Sequence, residues 1–306
     1  MTVDIRTGQP QPGRPLITRL GWGEDSVQKS RDGPADRAMS SATRQKIFRD
    51  LHSASTVLLL PNAWDVGSAA LIESLGASAI ATTSAGVCWA HGYADGGALP
   101  PDDLVSTARA IARVVQVPLS VDMEAGYSDQ PPAVAALAAR LRDVGAVGIN
   151  IEDGAGAPEL LCRKIEAIRR LAGGGLFINA RVDVYLRSLA TADDALEQVC
   201  RRAKLYQAAG CDGIFLPGLA DVQAMAEIAQ SIAPQPLNVM LVPGLPAPEV
   251  LHRHGVRRLS AGSALAQAAM GHLSSLASQF LAGHPEAVSG AAGVAYGPMN
   301  ALFKER

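Results

Sequence analysis

The chain has 306 residues, a formal charge of −2 at pH 7 and 48% apolar residues, but only 4% aromatic ones. That length suits one large α/β barrel or two medium domains, with apolar content for a full core. The basic residues are scattered, which leaves no patch for nucleic acid or an anionic membrane, and no apolar run approaches the ~18 residues of a membrane span.

Residues 1–40 stand apart. QPQPGRP and the charged stretch from Gly23 to Arg37 have no sustained periodicity, so a disordered extension is expected. Its acids argue against an organellar leader. Met39, followed by the helical SATRQKIFRDLH, is an expected natural start.

A regular alternation follows. Strands are expected at Val57–Leu60, Ser78–Thr82, Leu119–Asp122, Val147–Ile151, Leu176–Ala180, Gly213–Leu216, Leu237–Val242 and Arg258–Ser260. Helical periods fall between them at Val66–Leu75, Pro101–Val115, Pro131–Val144, Pro158–Leu171, Ala192–Ala209, Asp221–Ile232 and Ala247–His254, and Ser263–Leu281 follows the last strand. Pro101, Pro131 and Pro158 suit first-turn positions, and Gly76, Gly145, Gly210 and Gly255 suit left-handed caps. Eight strands, each followed by a helix, predict a (β/α)8 TIM barrel over residues 41–282, with a C-terminal tail at 283–306. A doubly wound sheet is the weaker alternative, because no GxGxxG follows the first strand.

In a barrel the carboxyl ends of the strands converge on one mouth. Polar residues fall there: Asn62 and Asp65; Thr82, Thr83 and Ser84; Asp122 and Glu124; Asn150, Glu152 and Asp153; Asn179, Arg181 and Asp183; and Asn238. Asp122 and Glu124 are two apart, so on a strand they would share a face and repel unless a cation lay between them. Several carboxylates with one arginine suit a hard cation such as Mg2+, with Mn2+ as an alternative, and an anionic substrate. No His lies at a strand end, so a zinc site is not expected. Cys88, Cys162, Cys200 and Cys211 lack metal-ligand spacing and read as reduced thiols of a cytoplasmic protein. Cys88, Trp89 and His91 are expected on the loop after the second strand, His91 being the one His near the mouth.

The pieces LPNAWDVGSAALIESLGASAIATTSAGV, GYADG, SVDMEAGY, GINIEDG and FINARVDVYL, in this order and spacing, resemble the isocitrate lyase/phosphoenolpyruvate mutase superfamily over about residues 45–282. The resemblance implies Mg2+ beside Asp122, with Glu124 bound through water and Glu152 and Asp95 in the same cluster. It also implies that the backbone of Ser84, Ala85 and Gly86 holds a substrate carboxylate, with Thr83 and Asn238 as further substrate contacts. Arg181 is implied to stabilise negative charge on the reacting oxygen; Tyr127 fits the motif as well. Two departures bear on the chemistry. The loop that carries a Lys-[Lys/Arg]-Cys-Gly-His motif in isocitrate-type lyases here reads EDGAGAPELLCRKIEAI, with Cys162 inside an expected helix, and the Lys/Asn version of the phosphonomutases is missing too.

The expected activity is a Mg2+-dependent carbon–carbon lyase or decarboxylase acting on a small 2-oxo or 2-hydroxy di- or tricarboxylate through an enolate. A C–P bond enzyme of the mutase or hydrolase type is the alternative, and a non-catalytic ligand-binding or scaffold barrel is the alternative of another class. The resemblance further implies a homodimer or homotetramer in which the last helix is exchanged between subunits.

Overall fold

The computed structural model describes residues 39–304; the expected N-terminal extension lies almost wholly outside them. Helix α1 (Ser41–Leu51) is capped by Ser40, whose hydroxyl accepts the Thr43 N–H. The first strand comes in two pieces, β1 (Leu58–Leu60) and β2 (Asn62–Ala63), because Pro61 between them has no N–H for the ladder. Then follow α2 (Val66–Ser74), β3 (Ile80–Thr82), α3 (Ser84–Ala90), α4 (Pro101–Val114), β4 (Leu119–Asp122), α5 (Pro131–Asp143), β5 (Gly148–Glu152) and α6 (Pro158–Ala172). The chain continues through β6 (Phe177–Arg181), α7 (Ala192–Ala209), β7 (Gly213–Leu216), α8 (Val222–Ile232), β8 (Leu237–Met240), α9 (Pro248–Arg253) and β9 (Val256–Ser260). Three helices end it: α10 (Ala264–Leu281), α11 (Pro285–Ser289) and α12 (Tyr296–Ala301).

All neighbouring strands are parallel, in the order β1-β9-β8-β7-β6-β5-β4-β3-β2. Since β1 and β2 are halves of one strand, pairing of β1 with β9 and of β2 with β3 closes the ring into a (β/α)8 barrel. Asn62, expected at an open strand end, instead lies within the ladder opposite Ala81. Its amide donates to Thr82 O (2.8 Å) and accepts the Gly262 N–H (3.0 Å), tying the two sides of the closure together.

The main core fills the space between sheet and helices, with fully buried Ile80, Ile111, Val121, Leu141, Ile149, Ile165 and Ile178. A second cluster lies around Leu58, Leu60, Ala79, Ala81 and Phe177, and α1 supplies Phe48 to it. Phe48 meets Phe177 edge-on at 5.5 Å, and His52 stacks on Phe177 at 4.3 Å. A Cβ on Gly148 would stand 2.7 Å from the Phe48 ring, so only glycine admits the plug. The amphipathic pattern of α1 predicts a helix but not this plugging role.

Helix α10 leaves the barrel. It buries only Ala266 and leaves Leu273, Phe280 and Leu281 exposed. No helix among the described residues is long and apolar enough to cross a membrane.

Candidate active site

Strand β4 is buried throughout and delivers Asp122, whose backbone N–H donates to Thr82 Oγ1 (2.9 Å). The sequence places Glu124 on the same strand face. The structure corrects this: β4 ends at Asp122, and the chain then folds into a turn closed by Gly126 N–H to Met123 O (2.8 Å). Glu124 and Tyr127 adopt φ of 50° and 57°, and Gly126 a φ of 90°. Left-handed backbone at two non-glycine residues in one turn is costly and is typical of functional sites. Any Cβ at Gly126 would also lie 2.6 Å from Val134 Cγ1. Buried Lys164 on α6 donates to Ala125 O (2.9 Å) and holds the turn from below.

The turn keeps both acids at one place by a different route from the strand pleat. Glu124 N–H donates to Asp122 Oδ1 (3.1 Å), and both side chains are buried. Glu124 Oε1 accepts from Tyr127 OH (2.7 Å) and from the Cys88 thiol (3.8 Å). Cys88 is not on a loop: the expected Ser84-Ala85-Gly86 turn is the first turn of α3, with Val87 N–H on Thr83 O (3.0 Å). Burial, then the Glu124 charge, pushes the Cys88 thiol up to about 12, so it remains a thiol. The first-turn amides of Ser84, Ala85 and Gly86 have no partner within their own helix. Trp89 is half-exposed, and exposed His91 bonds Thr107 Oγ1 (2.8 Å) on α4.

Donor atoms of Cys88, exposed Asp95 and Glu124 lie within 4.8 Å of one another. Asp122 and Glu152 do not join that triangle. Glu152, opposite Arg181 in the β5–β6 register, pairs with its Nη1 at 2.6 Å. Arg181 is gripped on its other edge by fully buried Asp183, Nε to Oδ1 at 2.6 Å and Nη2 to Oδ2 at 3.0 Å. Burial outweighs Arg181 and pushes Glu152 up to about 8, with Asp122, Asp183 and Glu124 adding repulsion. Asp122 is likewise pushed up, to about 6, by burial. Asp153, expected at the mouth, turns instead into a network with Arg202 (2.7 Å), Tyr206 OH (2.5 Å) and the Asp183 N–H (3.1 Å).

A polar layer lies deeper in the barrel. Asn150 Oδ1 accepts from Asn179 Nδ2 (2.9 Å) and, across the lumen, from Arg258 Nη2 (3.2 Å). Arg258 is fully buried, and its Nε and Nη1 lack partners, as do both amide atoms of Asn238. Sequence reasoning passes over Arg258; the available signal is the alternation of Val256, Arg258 and Ser260, which sets them on one face of β9. Lys164 is also missed, on helix α6 without a motif to mark it.

The donors fit a hard cation. Asp95, Asp122, Glu124 and Glu152 offer only oxygens, no His joins them among the described residues, and Cys88 is protonated. Crowded carboxylates, with Asp122 and Glu152 pushed up by burial, are the state that a divalent cation relieves.

The model of the phosphoenolpyruvate phosphomutase family matches residues 48–281. The chain belongs to that family. It lies within the isocitrate lyase/phosphoenolpyruvate mutase superfamily, whose enzymes include lyases. It is 40% identical over 221 residues to an uncharacterised protein of Mycobacterium tuberculosis (strain ATCC 25618 / H37Rv), covering 71% of this chain and 81% of that one. It is 28% identical over 203 residues to the 2-methylisocitrate lyase of Bacillus subtilis (strain 168), covering 62% of this chain and 64% of the lyase. A crystal structure of phosphonopyruvate hydrolase with oxalate and Mg2+ superposes with a TM-score of 0.74 at 20% identity, over 85% of this chain and 94% of that one, a likeness of fold.

Proposed function

We propose that the protein is a cytoplasmic Mg2+-dependent lyase or decarboxylase that breaks a carbon–carbon bond in a small 2-oxo or 2-hydroxy di- or tricarboxylate. The observation that carries this reading is the meeting, at one barrel mouth, of Asp122, Glu124 and Asp95 with the Glu152–Arg181–Asp183 array. The names of relatives and fold neighbours, a lyase of 2-methylisocitrate and a hydrolase that binds oxalate with Mg2+, agree with it.

Asp95, Asp122, Glu124 and Glu152 would hold the ion. When bound, Mg2+ would supply Lewis-acid polarisation of the substrate oxygens. The remaining roles belong to the chain. The first-turn amides of α3, with Thr83 and Asn238, orient the substrate carboxylate. Arg181, fixed on both edges by Glu152 and Asp183, presents a preorganised charge where an enolate oxygen develops. Cys162 takes no part: it sits in α6, packed on the core, with its thiol pushed up by burial. A C–P bond activity is the second reading, favoured by the phosphomutase family model.

The test is release of pyruvate or CO2 from a panel of 2-oxo and 2-hydroxy acids, with phosphonopyruvate included. Turnover should need Mg2+ and vanish in excess EDTA. Arg181→Lys keeps the charge but loses the planar fork, and should lower turnover more than tenfold, about 1.4 kcal/mol of barrier. Full activity in EDTA would remove the metal from the mechanism, and phosphonopyruvate as the one substrate would select the second reading.

A further inference from the structure

Arg181 has a neighbour of its own kind. After β6 the chain folds back in a turn closed by Arg187 N–H to Asp183 O (2.9 Å) and Leu189 N–H to Val184 O (3.0 Å). Ser188 takes φ of 51° to complete it. The turn brings Arg187 Nε to 2.9 Å from Asp183 Oδ2, the same oxygen that receives Arg181 Nη2 at 3.0 Å. One buried carboxylate therefore sets the place of two guanidinium groups.

The two are used differently. The Arg181 side chain is 14% exposed and engaged on both edges, whereas that of Arg187 is 48% exposed. Its Nη2 stands 3.9 Å from Glu152 Oε1, beyond hydrogen-bond reach. Within the Arg187 side chain, only Nε makes a hydrogen bond among the described residues. A half-exposed ion pair adds little to stability, and holding a long side chain in one geometry opposes it. The arrangement does leave a tethered, forked donor facing the mouth beside Glu152. That is the geometry that takes a planar carboxylate or a tetrahedral oxyanion.

We propose that Arg187 is a specificity-determining residue, which receives the second anionic group of the substrate, the one remote from the carbons handled by Arg181 and the carboxylate cluster. The assignment rests on the proposed function and narrows it: the substrate carries two anionic groups, separated by no more than a short carbon chain. Asp183 is the common anchor that sets the spacing between the two arginines.

The test compares two doubly charged probes, oxalate and 3,3-difluorooxaloacetate, binding to the full chain with Mg2+ present, by titration calorimetry. Their charges are equal, so a general loss of positive field would weaken both alike. Oxalate has no remote group; the four-carbon diacid has one. Arg187→Met should bind oxalate within about twofold of wild type and the diacid at least tenfold more weakly, with an unchanged circular dichroism spectrum. Arg187→Lys should fall between them. Equal weakening of both probes, or of neither, would overturn the assignment while leaving the site reading intact. Wild-type protein that binds neither probe would overturn both.

Discussion

Glu152 shows how a single residue reports on the site without its ligand. Its carboxyl is pushed up to about 8 in the folded protein, against an ordinary value of 4.5, so between these limits the native state binds more protons than the unfolded chain. Stability therefore falls as pH rises through that window, by up to about 1.4 kcal/mol per unit. His52, buried and depressed to about 3, acts in the opposite sense below its ordinary 6.5, and the raised Cys88 and Cys211 thiols enter only near 9 and above. The clean interval is pH 6.5 to 8. In EDTA the melting temperature should drop across it by a few degrees. Millimolar Mg2+ should flatten the slope, and Glu152→Gln should abolish it. A flat or rising profile in EDTA would mean that Glu152 is ionised throughout.

At the scale of an element, the turn from Met123 to Tyr127 decides where the acids stand. Its left-handed residues follow directly on β4, and Lys164 and Val134 hold it from two sides. Gly126→Ala combines a φ of 90° with a Cβ set 2.6 Å from Val134 Cγ1. It should cost about 1–3 kcal/mol in denaturant melts and weaken Mg2+ binding, because Glu124 moves with the turn. Unchanged stability would show that the turn relaxes freely. Val134→Ala in the same background should restore part of the loss, since it removes the clash and leaves the backbone strain.

For the whole molecule, the open question in the barrel wall is the outer face of β1 and β9. A groove of 850 Å³ lies there, lined by Leu59, Leu71, Leu75, Leu241 and Leu259 among others. Leu59 is 54% exposed in it. This is where the helix after the eighth strand would pack in a lone barrel, yet α10 leaves the barrel after its first turn, and Leu59, Leu75 and Leu241 of the groove stay exposed, as do Leu273, Phe280 and Leu281 of α10. We propose that α10 of a second copy covers the groove in a homodimer or homotetramer. Light scattering at micromolar concentration should give a multiple of the chain mass, and Leu59→Asp should lower it to one chain. An active monomer would rule the exchange out.

The alternation of eight strands and their helices was legible from local properties alone. Period-2 and period-3.6 patterns, first-turn prolines and capping glycines depend on residues near in sequence, and they located nearly every element. They also set the acids at strand ends, hence at one mouth, because barrel closure is implied by the count. Partnership across the barrel was not legible. Arg258 meets Asn150 from 108 residues away, Asp153 turns toward Arg202 and Tyr206 on α7, and Glu152 is drawn to Arg181. Each depends on which side chain waits on another element, and on burial that makes an unpaired charge costly. Helix α3 was hidden for a related reason: Val87 and Cys88 are buried against the barrel, which turns a short stretch that reads as a loop into a helix. The alternation of strands with their long helices was thus determined by the chain's own pattern; which charges face each other was decided only when the barrel closed.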